Sequence, residues 1–230
     1  MIIHGFQKMT VLDFPGHVAC TVFTAGCNLR CPFCHNARLV THIEEPDRIS
    51  EEEILAYLEK RKCILDGVCV TGGEPLLQPD IADFLRKIKA LGLLVKLDTN
   101  GCFPEKLRAL VEEGLVDYVA MDIKNSLAHY GDTVGIADFD TSAVEKSVEY
   151  LKTGVVPFEF RTTLVRELHS EADMRDIGEW IKGANKYFLQ GFVDSGDLIG
   201  EDFSAPERDF IDKAQEEVRP FVGNVELRGM

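Results

Sequence analysis

No apolar run in this chain approaches the roughly 20 residues that a membrane-spanning helix needs, so no membrane partner is expected. The start, Met1-Ile2-Ile3-His4-Gly5, lacks a basic stretch leading into an apolar one. No signal peptide is therefore expected, and a cytoplasmic location is. Basic residues are in deficit: 25 Lys and Arg against 39 Asp and Glu leave a net charge of −14. A surface of that sign repels phosphate backbones, which argues against a nucleic-acid partner. There is no internal repeat and no low-complexity segment, and charges interspersed with apolar runs argue against disorder. What remains is a chain of 230 residues, 45% hydrophobic, with ample material for a core. We read it as one domain over 1–230, with an N-terminal extension (1–16), a core (17–190) and a C-terminal extension (191–230).

A fourth clustered cysteine is also lacking. Of seven cysteines, three fall in Cys27-Asn28-Leu29-Arg30-Cys31-Pro32-Phe33-Cys34, at spacing C-x3-C-x2-C. In a reducing compartment a clustered, odd set favours a metal site over a disulfide framework. Thiolates suit zinc, copper(I) or iron–sulfur clusters, and zinc sites and ordinary four-iron clusters both want four ligands. Three local thiolates on a four-iron cluster would leave one iron open to a substrate or cofactor. The alternative is a zinc knuckle completed by His35 or a distant cysteine. Cys20, Cys63, Cys69 and Cys102 read as buried small hydrophobes, with Cys102 the first candidate for a further ligand because it follows a strand-end loop.

The chain alternates short apolar strands with helices. Strands are expected at Val18–Thr24, Gly67–Thr71, Leu93–Leu97, Leu115–Met121, Phe158–Leu164 and Lys186–Gln190, with a last one at Phe221–Leu227. Between them, Ser50 ahead of Glu51-Glu52-Glu53 caps a helix to about Lys62. A stripe of Ile81, Phe84, Leu85, Ile88 and Leu91 stops at Gly92. Pro104 opens a helix that closes near Gly114. Further helices cover about 140–153, 171–182 and 206–218. Residues 35–49 and 125–139 are expected to be irregular. Six β-α units imply a parallel sheet curled into an open, partial (β/α)6 TIM-like barrel. The unusual residues then share one place. The cysteines follow the first strand, Gly72-Gly73-Glu74-Pro75 the second, Asp98-Thr99-Asn100-Gly101 the third, and Asp122-Ile123-Lys124 the fourth. Parallel α/β folds put their chemistry at these carboxyl ends. Two glycines let backbone approach a ligand closely. Arg161 lies on the fifth strand, and Gln190 on the sixth reads as a wall residue.

Cys27, Cys31 and Cys34, with Phe33 before the last cysteine and Gly72-Gly73-Glu74 after the second strand, resemble the radical S-adenosylmethionine (SAM) superfamily across the whole chain. That resemblance implies a 4Fe–4S cluster on the three cysteines and SAM chelating the fourth iron. One electron then cleaves the sulfonium to methionine and a 5′-deoxyadenosyl radical, which abstracts hydrogen. It assigns Gly72, Gly73 and Glu74 to the methionyl amino group. More narrowly the chain is similar to the glycyl-radical-enzyme activases. That implies Asn36 beside SAM, and Asp98, Thr99, Asp122 and the backbone just before Asp122 around a monovalent cation next to the SAM carboxylate, with Lys124 completing the Asp-x-Lys. Arg161 meets the SAM carboxylate or ribose on this reading. The bland alternatives are capping by Asp98, a surface Lys124 and a buried Arg161 salt bridge.

The run from Gly5-Phe6 through Met9-Thr10-Val11-Leu12-Asp13-Phe14-Pro15-Gly16 into Cys27 is similar to the activating proteins of anaerobic ribonucleoside-triphosphate reductase. Pyruvate formate-lyase activases usually carry Gly where Phe14 stands. No ferredoxin-like cysteine insert separates Cys34 from Glu51. The resemblance implies a glycyl-radical partner, first the anaerobic reductase, and flavodoxin or ferredoxin as electron donor. The alternatives are a pyruvate formate-lyase-type activase, a small-molecule enzyme such as 7-carboxy-7-deazaguanine synthase, and a non-catalytic zinc-binding module.

Overall fold

In a computed structural model, which describes residues 1–43, 48–194 and 196–229, eight strands form one sheet in sequence order. They are β1 (Ile3–Thr10), β2 (Ala19–Thr24), β3 (Gly67–Gly72), β4 (Leu94–Thr99), β5 (Tyr118–Asp122), β6 (Phe158–Leu164), β7 (Tyr187–Gly191) and β8 (Val225–Arg228). Only β1 runs antiparallel to its neighbour; β2 to β8 are parallel throughout. The helices are α1 (Ala37–Thr41), α2 (Glu51–Arg61), α3 (Ile81–Ala90), α4 (Pro104–Glu112), α5 (Tyr130–Val134), α6 (Ser142–Lys152), α7 (Glu171–Trp180) and α8 (Arg208–Val218). The six expected β-α units are β2 to β7 with their following helices, so the partial barrel stands. No helix among the described residues is long and apolar enough to cross a membrane.

The local signals act as expected at most helix ends. Ser50 accepts the Glu53 N–H at 3.1 Å, and Pro104 occupies the first turn of α4. Ser170 and Asp173 close a full capping box on α7. The stripe of α3 is buried at Ile81, Phe84, Leu85 and Ile88, a period that puts one face against the sheet.

Three expectations need correcting. Residues 1–16, read as an extension ahead of the core, supply β1, an edge strand of the same sheet. Its ends, Ile3 and Thr10, are buried while Gln7 to Met9 are exposed. Two register irregularities break its alternation, which is why no strand period shows. Within 35–49, Ala37 and Val40 are buried on the short α1; residues 44–47 lie outside the described residues. Within 125–139, Tyr130, Thr133 and Val134 are buried at helical spacing on α5. Both short helices brace the cysteine loop. Gly26 N–H donates to Leu39 O at 2.7 Å and Arg30 N–H to Val134 O at 3.0 Å.

The inner face of the sheet is polar. Side chains two residues apart share a face, so Lys96 lies under Asp98 and Glu159 under Arg161. Glu159 is fully buried, between Tyr118 Oη at 2.9 Å and Arg228 Nη1 at 2.7 Å.

Candidate active site

A cavity of about 240 Å3 opens at the carboxyl ends of the parallel strands. Its wall includes Cys27, Cys31, Cys34, Phe33, Asn36, Gly72, Gly73, Asp98, Thr99, Asp122, Lys124 and Arg161. Twelve of the thirteen residues that the sequence assigned to the cluster, SAM or the cation thus meet in one place, all but Glu74. Gln190 is on the wall as well, joined by His35, Asn100, Thr163 and Ile199.

The exception is Glu74. Its side chain is fully buried outside the cavity lining. One carboxylate oxygen accepts the Leu76 N–H at 3.0 Å and the Thr99 hydroxyl at 2.8 Å; the other accepts the Asn100 N–H at 2.7 Å. Burial pushes its carboxyl up to about 7 against these three donors. Glu74 therefore ties the loop after β3 to the loop after β4. Both carboxylate oxygens of Glu74 thus bond the protein, and a contact from this run to the methionyl amine stays a proposal for Gly72, Gly73 and the Glu74 backbone.

The glycine pair is likewise explained by protein contacts. Gly73 N–H donates to Thr24 O at 2.8 Å and Glu74 N–H to Gly26 O at 2.8 Å. A Cβ on Gly73 would stand 2.0 Å from Gly26 O, and one on Gly72 (φ +122°) 2.3 Å from Thr24 N and O. The close backbone approach read from the sequence is thus made first to the start of the cysteine loop, and the pair fixes that loop's position.

Burial raises all three thiols, Cys31 to about 12, while Lys124 pulls each of them back. Iron must displace those protons on binding. Donors for the resulting sulfurs are in place: Leu29 N–H at 3.4 Å and Asn100 Nδ2 at 3.8 Å from Cys27 Sγ. Among the described residues no group of three or more His, Cys, Asp or Glu side chains is placed to hold a single metal ion. The three thiols share one cavity wall, and among the described residues no His side chain is bonded to any of them to complete a single-ion site. This donor set fits the cluster better than a zinc knuckle. Cys102 is not on the wall.

Four charged wall residues, Asp98, Asp122, Lys124 and Arg161, form one network with Lys96 buried behind the wall. Arg161 Nη1 binds Asp98 Oδ2 at 2.9 Å, and its Nε and Nη2 bind Asp122 Oδ1 at 2.9 and 2.8 Å. Lys124 Nζ binds Asp122 Oδ2 at 2.9 Å, and Lys96 Nζ binds Asp98 Oδ1. Burial opposes the charge on both carboxylates, but Arg161 with Lys96 or Lys124 overcomes it and holds each below its usual range. The buried salt bridge weighed for Arg161 is present. The monovalent cation does not fit here, since its expected ligands Asp98 and Asp122 are already bound by cationic side chains. Lys96 itself was not singled out from the sequence. A lysine two residues before Asp98, inside an otherwise apolar strand, was the signal available.

Residues 21–178 match the family model of the radical SAM superfamily, and the chain belongs to that superfamily. Its enzymes hold a 4Fe–4S cluster on three cysteines and use SAM. A Methanocaldococcus jannaschii protein, MJ1227, named provisionally as a glycyl-radical enzyme activating enzyme, is 29% identical over 234 residues, 99% of this chain and 95% of its own. The pyruvate formate-lyase-activating enzyme of Listeria monocytogenes is 37% identical over 133 residues, so that the match spans about half of either chain (53% and 52%). Streptococcus suis SuiB bound to S-adenosylmethionine shares the fold, with a TM-score of 0.68 at 14% identity over 89% of this chain and 48% of SuiB.

Proposed function

We propose that this protein is the activating enzyme of a glycyl-radical enzyme, with anaerobic ribonucleoside-triphosphate reductase as the partner and flavodoxin or ferredoxin as the electron donor. The observation that carries the reading is one cavity lined by three thiols together with Lys124 and Arg161, in a chain alike over nearly its full length to MJ1227. The choice of partner rests on the segment Gly5 to Gly16, where Phe14 stands.

When bound, the cluster and SAM supply one-electron cleavage of a sulfonium carbon–sulfur bond and a carbon radical able to take a hydrogen atom. The chain's own part is placement. Cys27, Cys31 and Cys34 would hold the cluster through three thiolates, one fewer than a closed four-iron site takes, which would leave a position for SAM. Lys96, Arg161 and Lys124 carry three positive charges against two on Asp98 and Asp122. The surplus of one faces the cavity and offers a counter-charge to the SAM carboxylate. Asn36 Nδ2, 3.4 Å from Gly72 O, closes the wall where β2 and β3 end. Among the described residues β1 and β8 do not pair, so the sheet stays open, which leaves room for a polypeptide segment to reach the cavity.

Reduced, reconstituted protein incubated with SAM is expected to release 5′-deoxyadenosine, with none from a variant carrying Ala at Cys27, Cys31 and Cys34. Adding the anaerobic reductase is expected to give a glycyl-radical doublet in electron paramagnetic resonance. A doublet with pyruvate formate-lyase and none with the reductase would reassign the partner; no nucleoside product from wild type would reject the chemistry.

A further inference from the structure

The strand β4 puts Lys96 and Asp98 on the same face, two residues apart. Lys96 is 1% exposed, and a lysine is almost never buried so fully unless paired. Its ammonium has two neighbours, Asp98 Oδ1 and, at 3.8 Å, Cys69 Sγ on the adjacent strand. All four oxygens of Asp98 and Asp122 thereby have a cationic N–H: Lys96 on one, Arg161 on two, Lys124 on the last. Thr99 is committed too. Its hydroxyl donates to Glu74 Oε1 at 2.8 Å and its oxygen accepts the Gly101 N–H at 3.2 Å. Every side-chain oxygen that the activase resemblance offers an alkali ion is therefore taken.

We propose that Lys96 is a built-in substitute for the monovalent cation, its ammonium together with Arg161 filling the carboxylate positions such an ion would need, so that the site works without one. An ammonium and an alkali ion carry the same charge, and both are satisfied by oxygen. The protein's version is covalently tethered and depends on no salt concentration. The charge count agrees: three cations and two carboxylates leave +1, which one ligand carboxylate neutralises, whereas with an alkali ion added a charge of +1 would stay buried after that carboxylate had bound. The functional consequence rests on the SAM reading above; the cation chemistry does not.

The test uses the full chain, with and without reconstituted cluster, in NaCl, KCl or choline chloride at one ionic strength. Wild type is expected to melt at the same temperature in all three salts and to bind SAM with the same Kd within about twofold. Lys96→Met opens Asp98 Oδ1. It is expected to melt lower in choline chloride and to regain roughly 2–4 °C in NaCl or KCl, as a site occupied at a few times its dissociation constant would. A rise in wild-type Tm specific to Na+ or K+, or sodium-23 line broadening by wild type, would overturn the proposal. So would a folded Lys96→Met variant indifferent to the alkali ion. If that variant does not fold, the wild-type arm decides alone. Since melting and sodium binding are read without turnover, a failure of the radical chemistry shows separately, as missing 5′-deoxyadenosine.

Discussion

Asp122 and Arg161 face each other as register partners on β5 and β6, and the guanidinium Nε stands 2.9 Å from Asp122 Oδ1. The same guanidinium reaches Asp98 on β4, so one side chain ties together three parallel strands where the cavity begins. Replacing Arg161 with Gln leaves two buried carboxylates short of their main counter-charge. Breaking one partner out of a buried pair costs about 3–5 kcal/mol, roughly 6–20 °C of Tm in a chain of this size. Thermal melting of the apo protein checks this; a fall under about 2 °C would contradict a structural role for the network.

Gly73 is where a single methyl group does most damage. Gly73→Ala puts Cβ against Gly26 O, a backbone atom that no rotamer change removes. The loop must shift, at about 1–3 kcal/mol or more, and the cysteines move with it. Iron content after reconstitution is expected to fall with Tm. Gly114 also has a positive φ, but nothing lies within 4 Å of its would-be Cβ. Gly114→Ala is expected to cost about 1–2 kcal/mol from the left-handed backbone alone and to keep its iron.

Asn100 Nδ2 lies 3.8 Å from Cys27 Sγ and 2.9 Å from Asn28 Oδ1. A donor to a ligating sulfur favours the electron-rich state of a cluster. Asn100→Leu is therefore expected to lower the reduction potential, by about 20–40 mV if the bond differs by about 0.5–1 kcal/mol between redox states. Potentiometric titration followed by electron paramagnetic resonance measures it; an unchanged potential would remove Asn100 from that role.

The acid side of the stability profile has an identifiable contributor away from the cavity. Burial works against the charge of Asp173, but Ser126, Ser170 and His129 outweigh it and bring the carboxyl down to about 2. A carboxyl that is more acidic in the folded chain than the ordinary value near 3.9 adds stability above that ordinary value. That contribution is lost as pH falls from about 4 to about 2. Asp98 and Asp122 act in the same direction. Urea denaturation of Asp173→Asn is expected to show a shallower loss between pH 5 and pH 2.5 than wild type. An equal slope would count against the assignment.

The site was legible because its chemistry is written in short runs at strand ends: three cysteines, a glycine pair and two Asp-containing loops, each after an apolar β-branched segment. Backbone alternation alone then forces them to one mouth. The loop tie made by Glu74 is not legible in the sequence, because a Gly-Gly-Glu run serves a ligand or a loop tie equally well on paper; the positions of Leu76, Thr99 and Asn100 reveal it. Lys96 was passed over for the opposite reason. Strand patterning expects apolar residues there, and its partner Asp98 was already assigned to a metal ion. The edge strand β1 hid behind its exposed Gln7, Lys8 and Met9, of which Gln7 is in register with β2 while Lys8 and Met9 fall in a register shift. The helices α1 and α5 are five residues each, too short to show a period over several turns, and both bond the cysteine loop.

The central claim is that Cys27, Cys31 and Cys34 hold a four-iron cluster with one iron open to SAM. Electron paramagnetic resonance of the reduced, oxygen-protected protein before and after adding SAM tests it most directly. The account predicts a [4Fe–4S]+ signal that SAM reshapes and that is lost in the triple alanine variant. A spectrum that SAM leaves untouched, or a colourless protein whose only metal is zinc, would contradict it.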